Sequence, residues 1–270
     1  MREEPVLVPA IHPTKEVFRL AFRPRVFLPP DEARKAMTSG IAVLSGPDVN
    51  HIRNVLRIPV GGILTLGDGE GIFFLAAVRE YRKDTLIAEV LPDSAADAET
   101  EFPFPVVLYQ CLPKGEKTDW IIQKSVELGV TEIVLVLSER CVARPDAAAM
   151  EKKRIRMQRI AESAAAQSGR GIVPSVRGLL PIGEAIREMA EASHPFLCYE
   201  GLDVVPLPSL LTDRPKKIAF LIGPEGGLSE QETELACAAG IPLAGLGKRI
   251  LRTETAPLFV LSCIEYRYGF

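Results

Sequence analysis

The chain has 270 residues, of which 47% are apolar and 25% charged, and a formal net charge of −3. That length suits two modest domains, each burying its own core. The charge balance excludes a protein that coats nucleic acid indiscriminately, although local basic clusters can still hold phosphates. The longest apolar runs fall far short of the roughly 20 residues a membrane helix needs. The first residues include Glu3 and Glu4 and no apolar signal core. Five scattered cysteines with no C-x-x-C pair argue against a disulfide framework or a zinc site, and point to a reducing cytoplasm.

In chain order, residues 1–21 read as an extension broken by Pro5, Pro9 and Pro13. Residues 22–92 show short β segments between turn residues: Ile41–Leu44, Ile63–Leu66, Phe73–Val78 and Leu86–Val90. Such close spacing with Gly-rich turns predicts a small β-barrel. Residues 93–105, rich in alanine, acids and proline, read as a linker. From 106 to 270 strands alternate with helices. Strands are predicted at Val106–Cys111, Thr131–Leu137, Pro195–Tyr199, Ile218–Ile222 and Pro242–Leu246. Helices are predicted at Asp119–Leu128, Ala147–Ser168, Ile182–Ala192, Glu230–Ala239 and Ala256–Tyr266. That rhythm predicts an α/β domain with a parallel sheet covered on both faces.

Two segments carry most of the chemical signal. Ile218–Ile222 feeds directly into Gly223-Pro224-Glu225-Gly226-Gly227, and Ser229 with Glu232 forms a capping box for the next helix. Adjacent glycines let backbone N–H groups approach a ligand, and a loop at a strand's carboxyl end is where cofactors sit in parallel sheets. A tight structural turn is the plainer alternative. G-x-G-x-x-G and the Walker lysine are both missing, so nicotinamide and ATP lose support. The second segment, Leu246 to Pro257, packs Lys248, Arg249, Arg252 and Glu254 between a short strand and the last helix. Alone it could be a solvated loop; beside the glycine loop, on what the pattern makes adjacent strands, it points to one pocket.

A basic helix is the third signal. Lys152, Lys153, Arg154, Arg156 and Arg159 share it with a stripe of Ile155, Ile160 and Ala164; most such faces are solvated surface. It ends in Gln167-Ser168-Gly169-Arg170-Gly171, which suits phosphate or base contact. In the small domain, Arg25, Arg53 and Arg57 supply cations around Phe27 and His51, a mixture that fits RNA and equally any barrel surface. The three histidines show no metal-ligand spacing, and Trp120 reads as a helix-packing residue.

These segments resemble the bacterial ribosomal RNA small subunit methyltransferase E family. The paired C-terminal motifs, Gly223–Gly227 and Leu246–Ala256, carry the likeness. Arg25–Pro29, His51–Arg57, Lys114-Gly115-Glu116-Lys117, Gln123–Val130 and Gln167–Arg170 agree in order, so it spans nearly everything from Arg23 onward. Leu228, where the family often has an aromatic residue, and Pro257 are departures. The resemblance implies a PUA-like barrel followed by a SPOUT α/β domain with a deep trefoil knot. It also implies a homodimer acting in the cytoplasm on a uridine N3 of 16S ribosomal RNA within the small subunit, with S-adenosyl-L-methionine as methyl donor and no metal. The implied donor-binding residues are Tyr199, Glu200, Gly201, Ile222, Gly223, Pro224, Glu225, Gly226, Gly227, Leu246, Gly247, Ile250, Leu251, Arg252, Thr255 and Ala256. Lys114, Gln167, Ser168 and Arg170 join Arg25, Arg53 and Arg57 as expected RNA contacts.

Methyl transfer to N3 requires alignment of the acceptor and removal of a weakly acidic proton. Glu254 is the expected base or base-orienting group, with Arg249 and Arg252 stabilising charge on the uracil oxygens. The alternative for Glu254 is a salt bridge to Arg249 or Arg252 that merely shapes the loop. A β-branched residue at Gly226 is expected to abolish donor binding. Alternative activities are methylation of another RNA or of a ribose 2′-hydroxyl, or RNA binding without catalysis.

Overall fold

The computed structural model describes residues 24–98, 100–211 and 215–269; the proline-broken extension lies outside them. These residues divide into two compact units, one made of residues up to 66 with 74–95, the other of 67–73 with 96 onward.

In the first unit, β1 (Arg25–Phe27), β2 (Ile41–Ser45), β3 (Ile63–Gly67), β4 (Ile72–Tyr81) and β5 (Thr85–Val90) form a curled sheet in the order β1-β3-β4-β5-β2. Strands alternate: β2 buries Ala42 and Leu44 and exposes Val43, the pattern of a sheet with one wet face. The sheet wraps a core that includes Leu64, Leu66, Phe74, Val78 and Leu86. Helix α1 (Pro30–Ser39) adds Ala33 and Ala36 to it, and a short helix α2 (Pro47–Asn50) continues as a wider turn over His51–Val55. Neither helix is predicted above.

The second unit is a seven-stranded parallel sheet. Its strands are β7 (Val106–Cys111), β8 (Glu132–Leu137), β9 (Ser175–Pro181), β10 (His194–Cys198), β11 (Val205–Pro206), β12 (Ile218–Ile222) and β13 (Leu243–Gly245). They lie in the order β11-β13-β10-β12-β7-β8-β9. Every residue of β7 and β12 is buried, as expected of central strands covered on both faces. The helices are α3 (Lys117–Glu127), α4 (Ala147–Ser168), α5 (Ile182–Met189), α6 (Leu207–Leu210), α7 (Glu230–Ala238) and α8 (Ala256–Tyr268). Helix α4 runs over the residues predicted for it, capped by Asp146 accepting from Ala149 N–H at 2.7 Å. Its buried stripe is Met150, Met157, Ala161 and Ala164; Ile155, expected in the stripe, is exposed.

Residues 96–98 and 100–105, expected as part of a linker, are pinned to this unit. A short strand β6 (Ala96–Asp97) pairs with Ile72 and Phe73. Phe104 stacks on Phe102 and meets Tyr268 edge-on. Phe102 fills the space where a side chain at Gly129 would stand, 2.5 Å from an added Cβ, and Gly129 has φ +88°. A glycine is required there on both counts.

Candidate functional site

Strands β13, β10 and β12 are neighbours, and all three end at the same edge of the sheet. The glycine loop leaves β12 and the cation-rich segment leaves β13. These two strands are separated by β10 instead of adjacent, and β10 contributes Tyr199 and Glu200 between them. The three exits wall one cavity of about 440 Å³. Around it stand Tyr199, Glu200, Ile222, Gly223, Pro224, Glu225, Gly227, Leu246, Gly247, Arg249, Ile250, Leu251, Arg252 and Ala256 from the expected set. Gly201, Gly226, Glu254 and Thr255 are beside the lining but not part of it. Lys117, Cys198 and Leu228 line it without having been expected to, and Lys248 and Thr253 line it from within the expected segments.

Thr253 couples the loops. It is 6% exposed, donates from Oγ1 to the Gly223 carbonyl at 2.7 Å and accepts from Gln110 Nε2 at 3.1 Å. Gln110, buried near the end of β7, sits opposite Ile222 in register and reaches the Gly223 carbonyl through Thr253. A polar residue inside a strand whose neighbours are all apolar is the sequence signal that reasoning passed over. A second connection runs through Lys117, whose Nζ lies 3.0 Å from Glu225 Oε1 and 3.1 Å from Glu254 Oε2. Glu225 also accepts from the Lys114 backbone N–H at 3.2 Å.

Gly227 has φ +70°, and an added Cβ would lie 2.6 Å from Glu200 Oε1. The backbone therefore comes as close to that carboxylate as it does only because no side chain intervenes. Gly226 lies behind the cavity wall, its carbonyl accepting from Arg140 Nη1 at 3.0 Å. The capping box is partly a loop anchor. Glu232 Oε2 accepts from Ser229 N–H at 2.9 Å and its Oε1 from Glu139 N–H at 2.7 Å.

Burial works against ionising Glu254, but hydrogen bonds from its own backbone and from Lys117, with the Arg252 charge, hold its carboxyl below the usual carboxylate range. Glu225 behaves the same way: burial opposes ionisation, and Lys117 with the backbone N–H groups outweighs it. The two carboxylates in turn raise the Lys117 ammonium above its ordinary value. The ion pair expected between Glu254 and Arg249 or Arg252 is made with Lys117 instead. Arg249 and Arg252 are exposed at the cavity and form no ion pair among the described residues, so both are free to meet an anion. Burial pushes the Cys198 thiol far up and keeps it neutral. Ile250 lines the mouth but is 84% exposed, so most of its surface is open to solvent.

The expected RNA contacts divide. Lys114, Gln167 and Ser168 are exposed, though Ser168 Oγ is spent on the Ala164 carbonyl at 2.7 Å. In the first unit Arg25 is half-buried, Arg57 is exposed with a left-handed backbone (φ 54°), and Arg53 lies over the Tyr81 ring at 5.5 Å. Arg170 contradicts the expectation. It is 3% exposed and its guanidinium is taken up by the Glu101 carboxylate and the Val126 and Val130 carbonyls. It holds residue 101 against the sheet and presents nothing to a ligand. Trp120, read as a packing residue, is 43% exposed on α3.

In sequence, a small β unit comes first and a parallel α/β unit with a cavity at its strand exits follows. The family model described as RNA methyltransferase domain matches residues 100–265, and the RNA methyltransferase PUA domain matches 44–91. The Bacillus subtilis ribosomal RNA small subunit methyltransferase E is 34% identical over 230 residues, 83% of this chain and 89% of the relative. The Synechocystis protein of the same name is 32% identical over 86% of this chain and 75% of its own length. Among solved structures, the Neisseria gonorrhoeae ribosomal RNA small subunit methyltransferase E bound to S-adenosyl methionine superposes with a TM-score of 0.79. It shares 36% identity over 91% of this chain and 98% of that one. A Legionella pneumophila protein in complex with SAM has a TM-score of 0.79 and 29% identity over 90% of this chain and 97% of that one. The chain belongs to the ribosomal RNA small subunit methyltransferase E family.

Proposed function

We propose that this protein methylates N3 of a uridine in 16S ribosomal RNA, with S-adenosylmethionine as the methyl donor. The observation that carries this is the cavity that three neighbouring strand exits wall together. Its size falls within the roughly 300–1,000 Å³ of small-molecule sites. Its wall offers glycine backbone at Gly223 and Gly227, apolar surface at Ile222, Leu228, Leu246 and Leu251, and carboxylates at Glu200 and Glu225. Those suit an adenine face, a ribose and an amino-acid ammonium, so the residues fit the donor.

The donor supplies an already electrophilic methyl carbon. The chain's own work is to align the acceptor, exclude water and manage one proton. Arg249 and Arg252, unpaired at the cavity, would stabilise negative charge on the uracil oxygens as the N3 proton leaves. Glu254, ion-paired to Lys117, orients the turn that carries Arg252 and is the acceptor to which the N3 proton would pass. Lys114, Gln167, Arg25, Arg53 and Arg57 remain the proposed RNA contacts.

A deep trefoil knot belongs to this proposal, supported by the placing of β12 between β7 and β10, both formed from earlier chain. A homodimer belongs to it as well. Phe259 and the 84% exposed Tyr266, seven residues apart, share one face of α8. We place the enzyme in the cytoplasm with its RNA, where five free thiols are at home.

The test is tritium transfer from labelled S-adenosylmethionine to small subunits from a strain lacking this gene, followed by nucleoside mass mapping. Label in 3-methyluridine of 16S RNA is expected. Label on a ribose, on transfer RNA alone, or on nothing overturns the assignment.

A further inference from the structure

Lys117 is assigned no contact with the reacting atoms, yet it stands where two of the three cavity loops meet. Its ammonium is within 3.1 Å of two carboxylates from different strand exits, Glu225 after β12 and Glu254 after β13. Neither carboxylate makes another ion pair among the described residues, although the Arg252 charge also acts on Glu254. The turn before α3 is fastened to the same Glu225 through the Lys114 N–H, so the lysine is delivered to this junction by its own backbone. Lys117 also lines the cavity. A compact ammonium with three donors can serve two carboxylates at once, which a hydrophobic or neutral residue cannot. Partly exposed ion pairs add little to global stability, so the consequence of this bridge is local: it decides where two loops rest.

We propose that Lys117 is a positioning residue for the methyl-donor site, holding the glycine loop and the cation-rich turn at their working separation through Glu225 and Glu254. The proposal rests on the reading of the cavity as the S-adenosylmethionine site. Without the ammonium, two like charges face one another and both loops are released. Donor affinity then falls. Arg249 and Arg252 still meet the acceptor once donor is saturating, so the loss is in KM for the donor more than in kcat. An effect of about tenfold on KM and under about threefold on kcat is expected for an interaction equal in ground and transition states.

The experiment uses the full chain with Lys117→Met, Lys117→Arg and the double variant Lys117→Met/Glu254→Gln, with S-adenosylhomocysteine as the calorimetric probe. Lys117→Met is expected to bind the probe about tenfold more weakly, Lys117→Arg near wild type, and the double variant to regain most of the loss, because one of the repelling charges is gone. Hydrogen exchange on the ligand-free proteins gives a second readout. Amides in 223–228 and 252–256 should exchange faster in Lys117→Met, with the central strands unchanged. Wild-type exchange in both segments overturns the proposal whether or not the probe binds. A uniform loss of protection and melting temperature that Lys117→Arg does not restore also overturns it, as the mark of a merely structural lysine. Failure of the wild-type chain to bind the probe sinks the reading of the cavity, and the exchange data then decide the loop bridge alone.

Discussion

The hydroxyl of Thr253 donates to the carbonyl of Gly223 at 2.7 Å, joining two loops that lie 30 residues apart in sequence. Gln110, on the central strand β7, donates to the same hydroxyl. The cavity is thus fastened from beneath, by a buried relay anchored on the most enclosed part of the sheet.

Replacing Thr253 with valine keeps the shape and removes the relay. The Gly223 carbonyl loses its donor and one donor of Gln110 loses its acceptor, a loss on the order of 2 kcal/mol for buried groups. Urea denaturation should show that loss in Thr253→Val and near-wild-type stability in Thr253→Ser. A valine variant as stable as wild type would remove the relay from the account.

The glycine loop makes an asymmetric prediction. At Gly227 a side chain faces both a left-handed backbone and Glu200 Oε1 at 2.6 Å, whereas at Gly226 an added Cβ meets Arg140 Cβ at 3.3 Å, which needs only a slight shift. Strain of the first kind costs about 1–3 kcal/mol. Gly227→Ala should therefore weaken S-adenosylmethionine binding at least about fivefold more than Gly226→Ala, measured by calorimetry. Equal effects would contradict the placement of this loop, and would return Gly226 to the importance that the sequence suggested for it.

Arg170 should behave as a structural residue. Its removal leaves the partly buried Glu101 without its cation, and breaking a pair this enclosed costs about 3–5 kcal/mol. Arg170→Met is expected to lose that much stability in urea. The fraction still folded should bind RNA with an unchanged salt dependence, since no phosphate contact is lost. A shallower salt slope with unaltered stability would restore Arg170 to the RNA-binding set.

The acid–base behaviour of the loop bridge follows from the directions of its shifts. Glu225 and Glu254 titrate below their ordinary 4.5, so the stability they contribute is fully present above that value and is lost as pH falls through their lower folded values. Lys117 titrates above its ordinary 10.5, so its contribution is complete below 10.5 and is lost as pH rises through the higher folded value. Donor affinity should accordingly be flat from about pH 6 to about pH 9. Calorimetry across that range checks it; a tenfold weakening between about pH 7 and about pH 6 would show that another group controls the site.

Much of the second unit was legible because its elements are long and well punctuated. Asp146 and Gly169 bracket α4, and Ile218–Ile222 is an unbroken apolar run between polar flanks. The two short helices of the first unit were missed although Pro30, two acids and Gly40 mark α1, because closely spaced β segments dominate that region. Strand order was not legible at all. Pairing is a long-range property, so nothing local says that β10 separates β12 from β13 and brings Tyr199 and Glu200 between them. The site was legible where backbone conformation leaves a residue signature, as at Gly227, and illegible where one side chain bridges distant segments, as Gln110 and Lys117 do. Arg170 misled for the opposite reason: flanking glycines suggest an exposed tip, and only the fold reveals Glu101 waiting beside it.

Ultraviolet crosslinking of methyl-labelled S-adenosylmethionine to the wild-type chain, with peptide mapping of the attached label, tests the shared donor site most directly. Label is predicted within 198–201, 222–228 or 246–256, competed away by S-adenosylhomocysteine. Competable label confined to other segments would contradict the proposal that these three strand exits hold the methyl donor.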